Sequence, residues 1–255
     1  MRRIPVLAGV AAAAAGTVAW ATRSTGATQT WEAMTRGALP GRIGSWLNSL
    51  GDGPSYQAFA EVLDVSPEDE LLDVACGWGE FLVSYAAGAR RVAGVDLASA
   101  KVELARKRLA DRIENGTAEV VVADAARLPW PDGSFTAVTC MDAFPFFPDP
   151  QAVLAEFFRV LRPGGRAVVS FAAQRLPEGV ESRQARGVAG TYTAISEATA
   201  RHRVESAGFD PVIVSWASIA GEHRAVGSVL RLLGGDELDI ILGQKPAGAV
   251  DVPPE

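Results

Sequence analysis

The chain has 255 residues, of which 48% are hydrophobic, and a formal net charge of −6. That length fits one domain with decorations, and the hydrophobic share suffices for a sizeable core. The acidic balance argues against nucleic acid as a partner, because phosphate binding needs a basic face.

Arg2 and Arg3 precede an uncharged, alanine-rich run from Ile4 to Thr22. Ala19-Trp20-Ala21 has the small-x-small form of a signal cleavage site. The run is borderline for a membrane span, which needs about 20 apolar residues. Residues 1–22 therefore read as a signal-like or anchor-like apolar segment, and residues 23–54, with Trp31 and Trp46, as a lid or linker. Tyr56 to Leu63 reads as a helix, with Tyr56 open to ligand contact or core packing. The principal domain is expected over residues 55–246, followed by a flexible tail over 247–255.

Leu71-Leu72-Asp73-Val74 reads as a buried strand. Cys76-Gly77-Trp78-Gly79 reads as a tight turn, and Glu80 to Ala87 as a helix. Strand, glycine turn and helix form the nucleotide-binding unit of open α/β sheets, because backbone approaches a ligand closely only where side chains are absent. The next apolar run, Arg91 to Val95, ends in Asp96, at the spacing of a carboxylate that grips ribose hydroxyls. A dinucleotide fingerprint would place a small residue where Leu82 stands, so NAD and FAD are disfavoured.

Ala98 to Asp111 reads as a helix, with Ser99 as N-cap and Leu104 and Leu109 toward the sheet. Its Lys101, Arg106, Lys107 and Arg108 read as a solvated face. A strand from Ala118 leads to Asp124-Ala125, and Leu128 to Phe135 leads into a strand ending at Cys140. Met141 and Asp142 follow, then Phe144, Phe146 and Phe147, which wall an apolar pocket or pack the next helix. That helix starts at Asp149-Pro150, an N-cap and first-turn proline, and runs to Leu161. Gly164-Gly165 turns the chain into a strand over Arg166 to Ala172. Ala194 to Ala207 reads as a helix, and Pro211 to Trp216 and Leu238 to Leu242 as two strands.

Two cysteines, Cys76 and Cys140, and two isolated histidines, His202 and His223, form neither a disulfide framework nor a metal site. Cys76 and Cys140 read as reduced apolar fillers.

The series Asp73-x-Ala75-x-Gly77-x-Gly79, Asp96, Asp124-Ala125, Leu128 to Phe135 and Leu161-Arg162-Pro163-Gly164-Gly165 resembles the class I S-adenosylmethionine-dependent methyltransferases, ubiquinone/menaquinone-biosynthesis-like branch. The resemblance covers roughly residues 55 to 172. Ala75 stands where the family usually has glycine, a mild departure. The resemblance implies a doubly wound, mostly parallel seven-stranded sheet with a C-terminal antiparallel hairpin. It implies S-adenosyl-L-methionine as cofactor, and the aromatic residues Phe144, Phe146 and Phe147 point to a small, apolar or aromatic methyl acceptor.

It also assigns positions. Ala75, Cys76, Gly77 and Gly79 would lie along the methionine moiety, and Asp73 would orient its amino end through water. Asp96 would take the ribose hydroxyls, with Leu97 against the adenine. Asp124 would accept the adenine amino group's hydrogen bond, the Ala125 amide would meet a ring nitrogen, and the Met141 carbonyl would face the methionine amine. Asp142 and His223 are the candidate general bases, with His202 expected in solvent. The rivals are a nicotinamide or flavin oxidoreductase and a non-catalytic scaffold. Because the donor is made in the cytosol, the resemblance implies a cytoplasmic protein despite the signal-like start, with weak membrane contact through residues 4–21.

Overall fold

The computed structural model describes residues 56–57, 59–141, 143–173, 182–187, 190–214 and 237–249. The expectations for residues 1–22 and 23–54, and for Asp142 and His223, fall outside them.

The frame is a mixed sheet of nine strands among the described residues. In chain order they are β1 (Glu70–Val74), β2 (Arg91–Asp96), β3 (Ala118–Val122), β4 (Phe135–Cys140), β5 (Leu161–Ala173), β6 (Ser182–Gly187), β7 (Gly190–Ile195), β8 (Asp210–Val214) and β9 (Glu237–Gln244). Neighbours β3, β2, β1, β4 and β5 run parallel. β9 then lies antiparallel to β5, and β8 antiparallel to β9. The seven-strand core thus reads β3-β2-β1-β4-β5-β9-β8, as the resemblance implies.

The helices are α1 (residues 59–63), α2 (Glu80–Ser84), α3 (Ser99–Arg108), α4 (Ala110–Glu114), α5 (Pro150–Val160) and α6 (Glu197–Ser206). Alternation along each strand sorts the core into two layers. Leu72, Val74, Val95, Val138, Val169 and Ile241 pack with Val153, Leu154 and Phe157 of α5 and Val204 of α6. Leu71, Val92, Ala137, Val168 and Ile240 pack with Leu63, Phe81, Leu82 and Val102 on the other face. Both faces of the central strands are therefore buried, as parallel sheets require.

Several local expectations need correction. Ser99 lies inside α3, whose N-cap is Ala98; Asp96 Oδ1 accepts the Ala98 N–H at 2.8 Å. Val102 and Ala105 are the core residues of α3, while Leu104 is only half-buried. Arg106 is exposed, as expected, with its Nε donating to the Val120 carbonyl at 2.7 Å, whereas Arg108 is half-buried and pairs with Glu80 at 2.7 Å. β5 begins at Leu161, and Pro163-Gly164-Gly165 is a bulge within it, where the register against β4 shifts between Phe135 and Ala137. A Cβ at Gly165 would stand 2.8 Å from the Arg162 carbonyl oxygen, so glycine alone fits that crossing. Asp149 caps α5 as expected, its carboxylate accepting the Ala152 N–H at 3.0 Å.

The hairpin β6–β7 is an addition that the sequence did not announce. Ile195 of β7 pairs in parallel with Ala173 at the end of β5. β9 holds one edge of β5 through Ala173, and β4 holds the other as far as Val169. The hairpin therefore continues the edge that β4 vacates, and β7 lies beside the 3-10 turn Phe144–Phe146.

At the amino ends of the strands, Arg166 locks the sheet to α1. Its guanidinium reaches both Asp69 oxygens, at 3.0 and 2.7 Å, the Asp64 carbonyl at 2.8 Å, and the Leu63 carbonyl. Burial alone would raise the Asp69 carboxyl. Arg166, the Ser66 N–H and the Thr136 hydroxyl outweigh it and bring the group down to about 2. Lys245, fully buried after β9, donates to the Phe158 and Leu161 carbonyls at 3.0 and 2.9 Å, at the end of α5.

Candidate cofactor-binding site

The site forms at the carboxyl ends of β1, β2, β3 and β4, where open α/β sheets bind ligands. β1 ends at Val74, and the chain then turns through three left-handed residues, Ala75 (φ 58°), Gly77 (φ 53°) and Gly79 (φ 73°). The two glycines serve different ends. A Cβ on Gly77 would meet nothing within 4 Å, so its backbone faces open space. A Cβ on Gly79 would stand 3.2 Å from the Ala105 Cβ, so Gly79 lets the turn pack against α3. Ala75 holds a conformation that glycine adopts without strain, which accounts physically for glycine being usual there.

Asp96 supports this turn from below. Its Oδ2 accepts the Gly77 N–H at 3.0 Å while Oδ1 accepts the Ala98 N–H. Each oxygen keeps a lone pair for a further donor. Beside it, Leu97 is 70% exposed and Val122, at the end of β3, is 48% exposed. Two large apolar side chains left in solvent at adjacent strand ends suit the faces of a flat apolar ring. Val122 was not singled out from sequence, since only strand pairing reveals its exposure.

Asp73 is 2% exposed in β1, level with Gly94 on β2 and Thr139 on β4. Among the described residues its carboxyl accepts no hydrogen bond. Burial first, and then the Asp96 charge, push it well above the ordinary carboxylate range. Thr139 is fully buried, and its hydroxyl has no partner among the described residues. Two buried polar groups without partners among the described residues, under an open glycine turn, suit a polar ligand or water. Thr139 too escaped the sequence reading.

Cys76 is 8% exposed, and burial, with Asp73 and Asp96, pushes its thiol up. Both it and Cys140 are buried. Met141 follows β4 and is buried on the turn's side of the sheet. Asp124 lies two residues past β3 and is exposed; its Oδ1 accepts the Ala126 N–H at 2.9 Å, closing a local turn, and Ala125 is 6% exposed. Tyr56 packs edge-on to Phe81 and Tyr85 at 6.3 and 5.9 Å. His202 lies exposed on α6. Among the described residues no cluster of three metal-ligating side chains exists, and no helix is long and apolar enough to cross a membrane.

The residues present fit S-adenosylmethionine. Gly77 leaves backbone open to a ligand, Asp96 has acceptor capacity for hydroxyls, Leu97 and Val122 can flank a base, and Asp73 and Thr139 lack side-chain hydrogen-bond partners among the described residues. Leu82 argues against a dinucleotide: it is fully buried, and its Cδ1 would lie 2.9 Å from a Cβ at Gly94. It fills the space where that fingerprint needs a small residue.

Comparison with known proteins agrees. Residues 72–169 match the family model described as "Methyltransferase domain". A demethylmenaquinone methyltransferase of Deinococcus radiodurans is 44% identical over 119 residues, covering 44% of this chain and 46% of that protein. The chain spans about half the length, or less, of the curated relatives it matches. Among solved structures, the [4+2]-cyclase SpnF superposes with a TM-score of 0.58 at 22% identity, over 76% of this chain and 80% of that one. Geranyl diphosphate C-methyltransferase from Streptomyces coelicolor A3(2), in complex with geranyl diphosphate and S-adenosyl-L-homocysteine, gives 0.56 at 19% identity, over 74% and 77%. These two likenesses are of fold. The matched segment, residues 72–169, spans the strand order β1-β2-β3-β4 and the glycine turn after β1, and it is over this segment that the chain is similar to methyltransferases.

Proposed function

We propose that the protein transfers the methyl group of S-adenosylmethionine to a small apolar or aromatic molecule. The observation that carries this reading is the Gly77–Asp96 arrangement, an open backbone turn tied to a carboxylate with spare acceptor capacity. Asp96 would take the ribose hydroxyls, with Leu97 and Val122 against the adenine and Asp124 and the Ala125 amide at its edge. Ala75, Cys76, Gly77 and Gly79 would follow the methionine chain. Asp73, Thr139 and the Met141 carbonyl would meet its amino end, directly or through water.

The bound cofactor supplies a methyl group already activated on a sulfonium. That methyl would pass to the acceptor's nucleophile, with the bonding pair remaining on sulfur. Any proton on that nucleophile leaves to water or to a base such as Asp142 or His223. The chain's contribution is positioning and exclusion of water, which can supply effective molarities of about 10⁵ M or more.

Calorimetric titration tests the reading. S-adenosylhomocysteine should bind with micromolar affinity and NADH should not bind. Binding of NADH in preference would overturn it.

A further inference from the structure

The methyl-transfer reading leaves the acceptor's chemistry open, and a second cavity bears on it. A pocket of about 180 Å³ lies between the segment that follows β4, the last residues of β5 and α6. Phe144, Phe147 and Pro148 line it from the segment after β4, Phe171 from β5 and Ile195 from β7. The β6–β7 hairpin therefore borders it, on the edge of β5 that β4 vacates. Phe144 and Phe147 meet edge to face at 6.0 Å, which gives this wall a fixed aromatic shape. The volume matches roughly six water molecules, room for a ligand portion of one or two rings.

One charged residue stands in this lining, Arg203 of α6. Its backbone is anchored, since Gln151 Nε2 donates to the Arg203 carbonyl at 3.3 Å. Arg201, on the same helix, has a loose ion pair with Glu197 at 3.9 Å. Among the described residues, no carboxylate lies within ion-pair distance of the Arg203 guanidinium. Arg203 shares this lining with the aromatic walls, and a guanidinium is a planar fork of donors matched to a carboxylate-like group.

We propose that this pocket takes an apolar acceptor of one or two rings whose carboxylate-type anionic group pairs with Arg203. The proposal rests on the methyl-transfer reading for the word acceptor, and on the pocket alone for the ligand's chemistry. Arg203 positions the ligand and takes no proton, because a guanidinium stays protonated. The methylated atom is then some other atom of the acceptor, not the anion held by Arg203.

The test uses 2-naphthoate and its uncharged counterpart 2-naphthamide, titrated into the full chain with and without saturating S-adenosylhomocysteine. The acid should bind at least tenfold more tightly than the amide. Arg203→Met should shrink that preference below twofold while leaving affinity for S-adenosylhomocysteine unchanged, and Arg203→Lys should retain part of it. Ile195→Trp, which fills the pocket, should abolish naphthoate binding. Equal binding of acid and amide, binding of neither, or a preference that survives Arg203→Met overturns the proposal. If naphthoate behaves as expected but S-adenosylhomocysteine does not bind, the pocket stands and the methyl-transfer reading falls.

Discussion

The Gly77 N–H points at the Asp96 carboxylate, 3.0 Å away, across the gap between β1 and β2. One side chain thus holds the turn and keeps lone pairs for a ligand. Both tasks follow from its place at the end of β2, two residues before α3.

Replacing Asp96 by Ala should weaken S-adenosylhomocysteine binding about 10- to 100-fold, the scale of lost hydrogen bonds to a charged acceptor, roughly 1–3 kcal/mol. Asp96→Asn should lose less, since the amide oxygen can still accept the Gly77 N–H. Calorimetry on both variants checks this; unchanged affinity in Asp96→Ala would remove Asp96 from the site.

Thr139→Val keeps the shape and deletes a hydroxyl without a partner among the described residues. Unliganded stability should rise by about 1 kcal/mol, because an unsatisfied buried group is replaced by an apolar one. Affinity for S-adenosylhomocysteine should fall several-fold, and Thr139→Ser should restore it. Denaturant titration and calorimetry together separate a ligand-directed hydroxyl from one that is merely packed.

Asp69 gives a pH signature. Its folded carboxyl titrates at about 2 against 3.8 as the ordinary value, so its ionised form stabilises the fold at neutral pH. The shift corresponds to about 2 kcal/mol, fully present above roughly pH 4 and lost as pH falls through 2. Asp69→Asn should lower stability at pH 7 by about that amount and flatten the acid limb. An unchanged limb in urea melts from pH 5 to pH 2 would contradict the Arg166 pairing.

Asp73 should act in the opposite sense. Burial raises its carboxyl, so the group favours the fold at low pH and opposes it as pH rises above the unfolded value near 3.8. Asp73→Asn should therefore raise unliganded stability at pH 7, while cofactor affinity falls. Chemical melts with and without S-adenosylhomocysteine would show the two effects with opposite signs.

Ala75→Gly should relieve the left-handed backbone at φ 58°. The gain is set against greater freedom of the unfolded chain, so the net change should be stabilising and within about 1 kcal/mol. Ala75→Val, β-branched at the same angles, should destabilise by more than that; a neutral result would argue that the turn differs.

Much of the fold was legible because its signals are local. Apolar runs ending in Asp73 and Asp96, and proline beside Asp149, mark strand and helix ends within a few residues. Leu82 disfavours a dinucleotide from sequence alone, since it stands where that fingerprint needs a small residue. What stayed hidden depends on distant partners. Lys245 is buried against carbonyls 84 and 87 positions away, and Arg166 meets Asp69 across 97. The hairpin Ser182–Gly187 and Gly190–Ile195 carries no strict apolar alternation, since one parallel bridge to Ala173 is its link to the sheet. Thr139 and Val122 are ordinary strand residues until pairing decides which one is buried and which exposed.

The position of β9 bears on how the molecule comes into being. It is the last strand described, yet it lies inside the sheet, between β5 and β8. During synthesis, β5 must wait with its outer edge bare until residues 237–244 leave the ribosome. Until then the nascent chain offers an open strand to neighbours, and the sheet closes only once β9 has been made.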